Sequence, residues 1–132
     1  HKFFRLGVTS LATSDGHMQV MSATMLGAGD CAIVISNSGR TRDLMDATDI
    51  AKRNGATTIA IPASGSPLAR AANIHLAADH PEGYDRYSPM VSRLLHLLIL
   101  DVLATSVALR IGEPLQPVLQ QMKDNLHAKR YT

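Results

Sequence analysis

Cysteine is almost absent from this chain, and its charges nearly cancel. The single cysteine among 132 residues, Cys31, excludes an internal disulfide and a cysteine metal cluster, and it is typical of a reducing cytoplasm. Thirteen Lys and Arg residues stand against eleven Asp and Glu residues, a net charge of +2. So small an excess gives no electrostatic reason to expect nucleic acid as a partner of this chain. We expect one cytoplasmic domain.

Glutamate is also scarce, and the histidines do not form a metal-binding pattern. The two glutamates, Glu82 and Glu113, stand beside Gly or Pro in irregular stretches, outside any motif typical of a catalytic base. No two of the six histidines are three or four residues apart. His75 and His80 flank a predicted strand end and could approach each other, but a structural role or exposure is favoured over a zinc site. The sequence predicts no metal, no cofactor and no catalytic residue.

Long hydrophobic runs are limited to one segment, residues 89–110. As a helix it would be about 33 Å long, enough to cross a bilayer. It contains Arg93, His96 and Asp101, however, and each charge near a membrane centre costs roughly 2.5–3.5 kcal/mol. A buried or interface helix is therefore favoured over a membrane span. Its leucines occupy more than one face, which predicts a homodimer.

Short β-rich runs alternate with stretches of helical periodicity along the chain. Two of these runs are almost continuously apolar, as expected of parallel strands covered on both faces. The pattern predicts an α/β sandwich with a parallel sheet. Methionines on the first helix are predicted to fill gaps in the core, and the polar segment 79–89 is either a lid or a linker. The predicted strands are 8–13, 31–36, 57–62 and 73–78, and the predicted helices are 14–27, 41–54, 67–72, 89–110 and 115–128.

The loop after the second β-rich run carries the chemistry. It reads Ser-Asn-Ser-Gly-Arg-Thr-Arg-Asp over residues 36–43, between a strand and a helix. Ligands of open parallel sheets bind at the carboxyl ends of strands, and a helix N-terminus offers free N–H groups to a phosphate. Hydroxyls at Ser36, Ser38 and Thr41 add donors, and Gly39 permits close approach of the backbone. The alternative is that Ser and Thr merely cap the helix.

This loop resembles the phosphate loop of the sugar isomerase (SIS) domain, whose pattern is Ser-x-Ser-Gly-x-Thr-x-Glu. Asp43 stands where the family has Glu. The next turn, Ala63-Ser64-Gly65-Ser66-Pro67-Leu68-Ala69, is similar to the family's short signature Ser-x-Pro-Leu. Residues 14–19 and 87–93 resemble the effector domain of RpiR-type bacterial regulators. The resemblance implies a three-layer α/β/α sandwich of flavodoxin-like topology.

The resemblance also implies a ligand and a set of site residues. The effector would be a phosphorylated sugar or sugar acid such as 2-keto-3-deoxy-6-phosphogluconate, an intermediate of glucose catabolism. Apart from the resemblance, His17 could reach the ligand from the start of its helix as a hydrogen-bond donor or as a base, and Arg40 and Arg42 could contact an anionic ligand. For all three, simple solvent exposure is the alternative. Because many domains of this family interconvert aldose and ketose phosphates, an isomerase is the rival function. The phosphate would be held by Ser36, Asn37, Ser38, Gly39 and Thr41.

The resemblance finally implies segments that this sequence does not contain. Residues 1–132 would be the effector domain of a repressor, with DNA bound only through a helix-turn-helix domain outside this chain. A first strand with its own serine loop would precede residue 1, and it would lie in the sheet between strands 8–13 and 31–36. We expect the sheet to lack that central strand.

Overall fold

The computed structural model describes residues 1–80, 90–127 and 129, which fall into two compact units. The larger unit, Thr13–Ile99, contains the sheet, and the smaller unit combines His1–Ala12 with Leu100–Thr132. Short 3-10 turns span Phe4–Leu6 and Glu113–Leu115. In chain order the helices and strands are α1 Gly16–Met25, β1 Cys31–Ile35, α2 Arg42–Arg53, β2 Thr57–Ile61, α3 Pro67–Ala71, β3 Ile74–His75, α4 Val91–Ile111 and α5 Gln116–His127.

The described sheet is parallel, in the order β1-β2-β3. β1 and β2 pair along their whole length, from Cys31 opposite Thr57 to Ile35 opposite Ile61. β3 is shorter than the predicted strand 73–78, but its hydrogen bonding to β2 continues, because Ala78 N–H donates to the Pro62 carbonyl at 3.0 Å. The predicted α/β fold with a parallel sheet is confirmed.

The strand predicted at residues 8–13 is wrong. These residues form neither helix nor strand, and Val8 and Leu11 are exposed. The hydrogen bonds of this segment are local, such as Val8 N–H to the Phe3 carbonyl at 3.3 Å. A β-rich run becomes a strand only when a neighbour pairs with its backbone. In the described structure β2 is the strand paired with β1, and none pairs with residues 8–13.

Two helices cover one face of the sheet, and a third packs behind them. Val34 and Ala60 of the sheet pack with Leu68 of α3, and Leu44 of α2 lies against the same cluster. α1 joins through Ala23, which packs in a second cluster with alanines of α2. The methionine prediction is wrong, because Met18, Met21 and Met25 of α1 are exposed. The small alanine side chains let α1 and α2 approach closely without methionine as filler.

α4 is an apolar helix of 21 residues that contains an 18-residue stretch of mean hydropathy 1.9, and by length and composition it could span a membrane. Length and hydropathy of a single helix are weak evidence for a membrane span. The polar residues Arg93, His96 and Asp101 within α4 also count against one. In the smaller unit, Lys2 Nζ lies 2.6 Å from Asp101 Oδ1, so this charge is paired. Most of α4 is exposed in the single chain rather than buried.

Asn73 fastens the amino end of β2, and we expect its truncation to destabilise the fold. The fully buried Thr58 donates to Asn73 Oδ1 from its backbone N–H at 2.9 Å and from its hydroxyl at 2.8 Å. Asn73→Ala leaves these buried donors without their acceptor, so the free energy of unfolding should fall by about 1–3 kcal/mol. Urea denaturation measures it, with Asn125→Ala on an exposed face of α5 as control. Equal midpoints for the two variants would contradict this role.

Candidate functional site

Three chain segments meet at the carboxyl edge of the sheet. The loop 36–41 follows β1, the turn 62–66 follows β2, and Asp79 follows the extension of β3. The in-register pairing of Ile35 with Ile61 brings the first two side by side, and the Ser36 N–H donates to the Ile61 carbonyl at 3.4 Å. This is the edge at which parallel α/β sheets bind ligands.

The Ser36 hydroxyl organises the loop 36–41, which we call the phosphate loop. Its oxygen accepts a hydrogen bond from the Gly39 N–H at 3.0 Å and lies 3.4 Å from Thr41 Oγ1. Ser38 Oγ accepts from the Arg40 N–H at 3.3 Å. Ser36 and Gly39 are buried, whereas Arg40 and Thr41 are exposed. The buried residues therefore shape the loop, and the exposed ones face outward.

Thr41 is the N-cap residue directly before α2, but its side chain does not cap the helix. In most helices a Ser or Thr at this position accepts from a first-turn N–H. Here the Thr41 side chain lies toward Ser36 instead, so the backbone N–H groups of the first turn of α2 have no side-chain acceptor from the cap residue. Such groups, with the positive end of the helix dipole, form an anion site. Simple capping therefore does not account for Thr41.

The turn after β2 supports the phosphate loop from one side. Ala63 N–H donates to the Asn37 carbonyl at 3.3 Å, and Leu68 N–H, in the first turn of α3, donates to the Gly39 carbonyl at 3.1 Å. Gly39 has φ +62°, and a Cβ there would lie 2.6 Å from Ser66 Cβ and 2.9 Å from Pro62 Cβ. The glycine is required both for its backbone conformation and for this close approach.

The three further candidate contacts lie near the phosphate loop but differ in setting. Arg40 is within the loop and Arg42 opens α2, and both are exposed. His17 is exposed in the first turn of α1, next to Gly16. A Cβ on Gly16 would lie 2.5 Å from Asp43 Oδ2, so the start of α1 lies beside the first turn of α2. His17 therefore lies in a helix turn that adjoins the first turn of α2, directly after the phosphate loop.

The sequence reasoning missed the residues that hold the phosphate loop in place. Ser66 was recognised only as part of a signature, although its side chain packs directly against Gly39. Asp79 was placed in a polar segment, yet its carboxylate accepts from Ser64 N–H at 2.7 Å and from Ser64 Oγ at 2.6 Å. These two hydrogen bonds, Ser64 Oγ first, lower the pKa of the Asp79 carboxyl. No local pattern signals a contact between residues 15 positions apart.

Comparison with known proteins identifies the family. The SIS domain model matches residues 1–106, and the chain belongs to this family. It is 46% identical over 131 residues to the HTH-type transcriptional regulator HexR of Pseudomonas aeruginosa, and 40% identical over 131 residues to HexR of Escherichia coli. Both alignments cover 99% of this chain. The chain spans about half the length of these relatives, 46% and 45%. The predicted resemblance to SIS domains of bacterial regulators is confirmed.

Solved structures agree with this assignment. The NanR protein of Vibrio vulnificus, complexed with ManNAc-6P, has the same fold with TM-score 0.86 and 24% identity, covering 99% of this chain and 50% of that one. The sugar isomerase domain of an RpiR transcription factor from Sphaerobacter thermophilus gives TM-score 0.75 and 27% identity, covering 94% and 68%. A putative phosphosugar isomerase from Bacteroides fragilis gives TM-score 0.71 and 27% identity, covering 83% and 60%. Proteins described as regulators and a protein described as an isomerase therefore share this fold.

We expect Gly39→Ala to destabilise the chain by more than its backbone strain alone. A side chain at φ +62° costs roughly 1–2 kcal/mol, and the collision with Ser66 and Pro62 adds about 1–3 kcal/mol. Gly29→Ala is the matched control, because Gly29 has φ +93° with open space around it. Urea denaturation of both variants separates the two effects. If they unfold at the same urea concentration, the contact with the turn after β2 is unimportant.

Proposed function

We propose that this chain is the effector-sensing part of a bacterial transcriptional regulator and that it binds a phosphorylated sugar or sugar acid. The observation that carries the proposal is the uncapped N-terminus of α2 directly behind a hydroxyl-rich loop at the carboxyl edge of a parallel sheet. The 46% identity to a HexR regulator over 99% of the chain supports it. The full protein would act in the cytoplasm, where phosphorylated sugars and DNA are both found.

The phosphate group would bind at the N-terminus of α2. First-turn N–H groups would donate to its oxygens, and the hydroxyls of Ser38 and Thr41 would add hydrogen bonds from the loop. Ser36 and Gly39 would keep the loop in shape, because both are buried and bonded to each other. Asn37, whose carbonyl accepts from Ala63, would present its side chain from the same loop. No metal or cofactor is needed to hold the phosphate in this arrangement.

We propose 2-keto-3-deoxy-6-phosphogluconate as the effector. This compound carries a phosphate at one end and a carboxylate at the other. The exposed guanidinium groups of Arg40 and Arg42 are suited to the carboxylate, and His17 at the start of α1 would be a further donor. The phosphate ester of an uncharged sugar would offer no carboxylate to these groups.

A phosphosugar isomerase is the second candidate function. The similarity to a putative phosphosugar isomerase of Bacteroides fragilis favours it. Isomerisation needs a base placed to move a proton between adjacent carbons. Neither of the two glutamates stands in a motif typical of a catalytic base: both are next to Gly and Pro, and Glu113 lies in a 3-10 turn of the smaller unit. Glu82 lies outside the described residues. We therefore propose a domain that binds without catalysis.

The regulator would transmit binding through a homodimer. Exposed apolar residues recur along α4 at intervals that place them on one face, and each is more than half exposed in the single chain: Val91, Leu94, Leu98, Val102 and Leu109. Two copies joined through α4 would hold two helix-turn-helix domains at a fixed spacing on a palindromic operator. An effector that binds one dimer arrangement more tightly would change that spacing. DNA would be contacted through those domains alone, and α4 would serve the dimer rather than a membrane.

We expect phosphorylated ligands to bind and loop variants to bind them weakly. Calorimetric titration would use 2-keto-3-deoxy-6-phosphogluconate, 6-phosphogluconate and glucose 6-phosphate beside their unphosphorylated counterparts. Ser38→Ala and Thr41→Val each remove a hydrogen bond to a charged group, worth about 1.5–3 kcal/mol, so affinity should fall about ten- to a hundredfold. Thr57→Val, exposed at the opposite end of the sheet, is the matched control.

Two results would contradict this proposal in different ways. If no phosphorylated compound binds and Ser38→Ala changes nothing, only a structural or interaction role is left for the chain. If chromatography shows that the chain interconverts aldose and ketose phosphates, the isomerase takes the place of the sensor.

We expect Leu98→Asp to dissociate the dimer. A carboxylate buried against the partner helix would be unpaired and therefore costly. Sedimentation velocity should give a dimer for the unsubstituted chain and a monomer for Leu98→Asp, with circular dichroism confirming that the variant is folded. Arg93→Asp, about 100° around α4 from Leu94, is the control and should stay dimeric. A folded Leu98→Asp variant that stays dimeric would exclude this face as the interface.

A further inference from the structure

The ends of β2 and β3 are fastened by two side-chain clamps of the same design. At the amino edge, Asn73 Oδ1 accepts from the backbone N–H and the hydroxyl of Thr58. At the carboxyl edge, the Asp79 carboxylate accepts from the backbone N–H and the hydroxyl of Ser64, at 2.7 and 2.6 Å. Both pairs are 15 residues apart in sequence. We call them the amino-edge clamp and the carboxyl-edge clamp.

Only the carboxyl-edge clamp acts on the turn that supports the phosphate loop. Ser64 is preceded by Ala63, whose N–H donates to the Asn37 carbonyl. Two residues after Ser64 is Ser66, whose side chain packs against Gly39. The turn therefore contacts the phosphate loop both before and after the residue that Asp79 holds. Asp79 itself is exposed, so it adds little to the core.

We propose that Asp79 is a positioning residue for the anion site: through Ser64 it holds the turn 63–66 against the phosphate loop. Asp79 is outside the loop 36–41, and its carboxylate bonds to Ser64 of the turn. Its carboxylate fixes the turn, and the turn fixes the backbone of Asn37 and Gly39. The inference rests on the proposed function of the loop as a phosphate site. It adds a residue that the loop motif does not contain.

Two substitutions of Asp79 separate loss of the carboxyl-edge clamp from loss of its charge. Asp79→Ala removes both acceptors. Asp79→Asn keeps both hydrogen bonds, because the amide oxygen can accept from the Ser64 N–H while the amide N–H donates to the Ser64 hydroxyl oxygen. Asn73→Ala breaks the amino-edge clamp at the other end of the same two strands. It is therefore the matched control for a general loss of stability.

The experiment compares these three variants by calorimetric titration with 2-keto-3-deoxy-6-phosphogluconate and 6-phosphogluconate. We expect Asp79→Ala to lower affinity about tenfold, the size of one lost hydrogen bond. Asp79→Asn should stay within about threefold of the unsubstituted chain, and Asn73→Ala should bind as the unsubstituted chain does. Equal affinity for Asp79→Ala, or an equal loss in Asn73→Ala, would overturn the positioning role.

Amide hydrogen exchange supplies a readout that needs no ligand. Asp79→Ala should speed exchange at the Ala63 and Leu68 N–H groups, which donate to the phosphate loop, more than at amides elsewhere in the sheet. Asn73→Ala lowers overall stability and should not single out these two groups. If the unsubstituted chain binds neither compound, the proposed function fails while exchange still decides the positioning role. Unchanged exchange at both groups in Asp79→Ala would overturn the inference even if ligand binds.

Discussion

The parallel, in-register pairing of β1 with β2 is the constraint on which the rest of the larger unit depends. It places the residue after Ile35 beside the residue after Ile61, so two loops that are distant in sequence leave the sheet at the same point. One loop leads into α2 and the other into α3, and both helices then cover the same sheet face. Packing of small and branched side chains there fixes the helix positions. The site is thus a consequence of strand register rather than of any single loop.

The central strand-helix-strand unit could be predicted from the sequence almost to its ends. Strands 31–36 and 57–62 were predicted where β1 and β2 lie, and helix 41–54 where α2 lies. The secondary structure of these segments is determined by their own residues. Continuous apolar runs favour buried strands, and the helix has Asp43 in its first turn and Lys52 and Arg53 in its last, which its dipole favours. The phosphate loop followed from the same local chemistry. Its residues lie together because they are neighbours in the chain.

What could not be predicted depends on distant partners. Residues 8–13 have strand-like composition, yet nothing in their own sequence reveals whether a neighbour pairs with them. Methionines of α1 were expected in the core, but alanines on another face make the contact with α2. The polar segment beginning at residue 79 was predicted to be a lid or linker; its first residue instead bonds to Ser64, and residues 81–89 lie outside those described.

The contact between Gly39 and Ser66 joins two short motifs that look independent in the sequence. One motif lies after β1 and the other before α3. Because Gly39 has no side chain, Ser66 occupies the space that a side chain at position 39 would need. The two motifs must therefore change together in evolution, because a larger residue at position 39 requires a different turn after β2. For protein engineering, the unit to transfer is the phosphate loop together with the turn after β2. A graft of residues 36–43 alone would lack the turn that hydrogen-bonds to the loop backbone and packs against it.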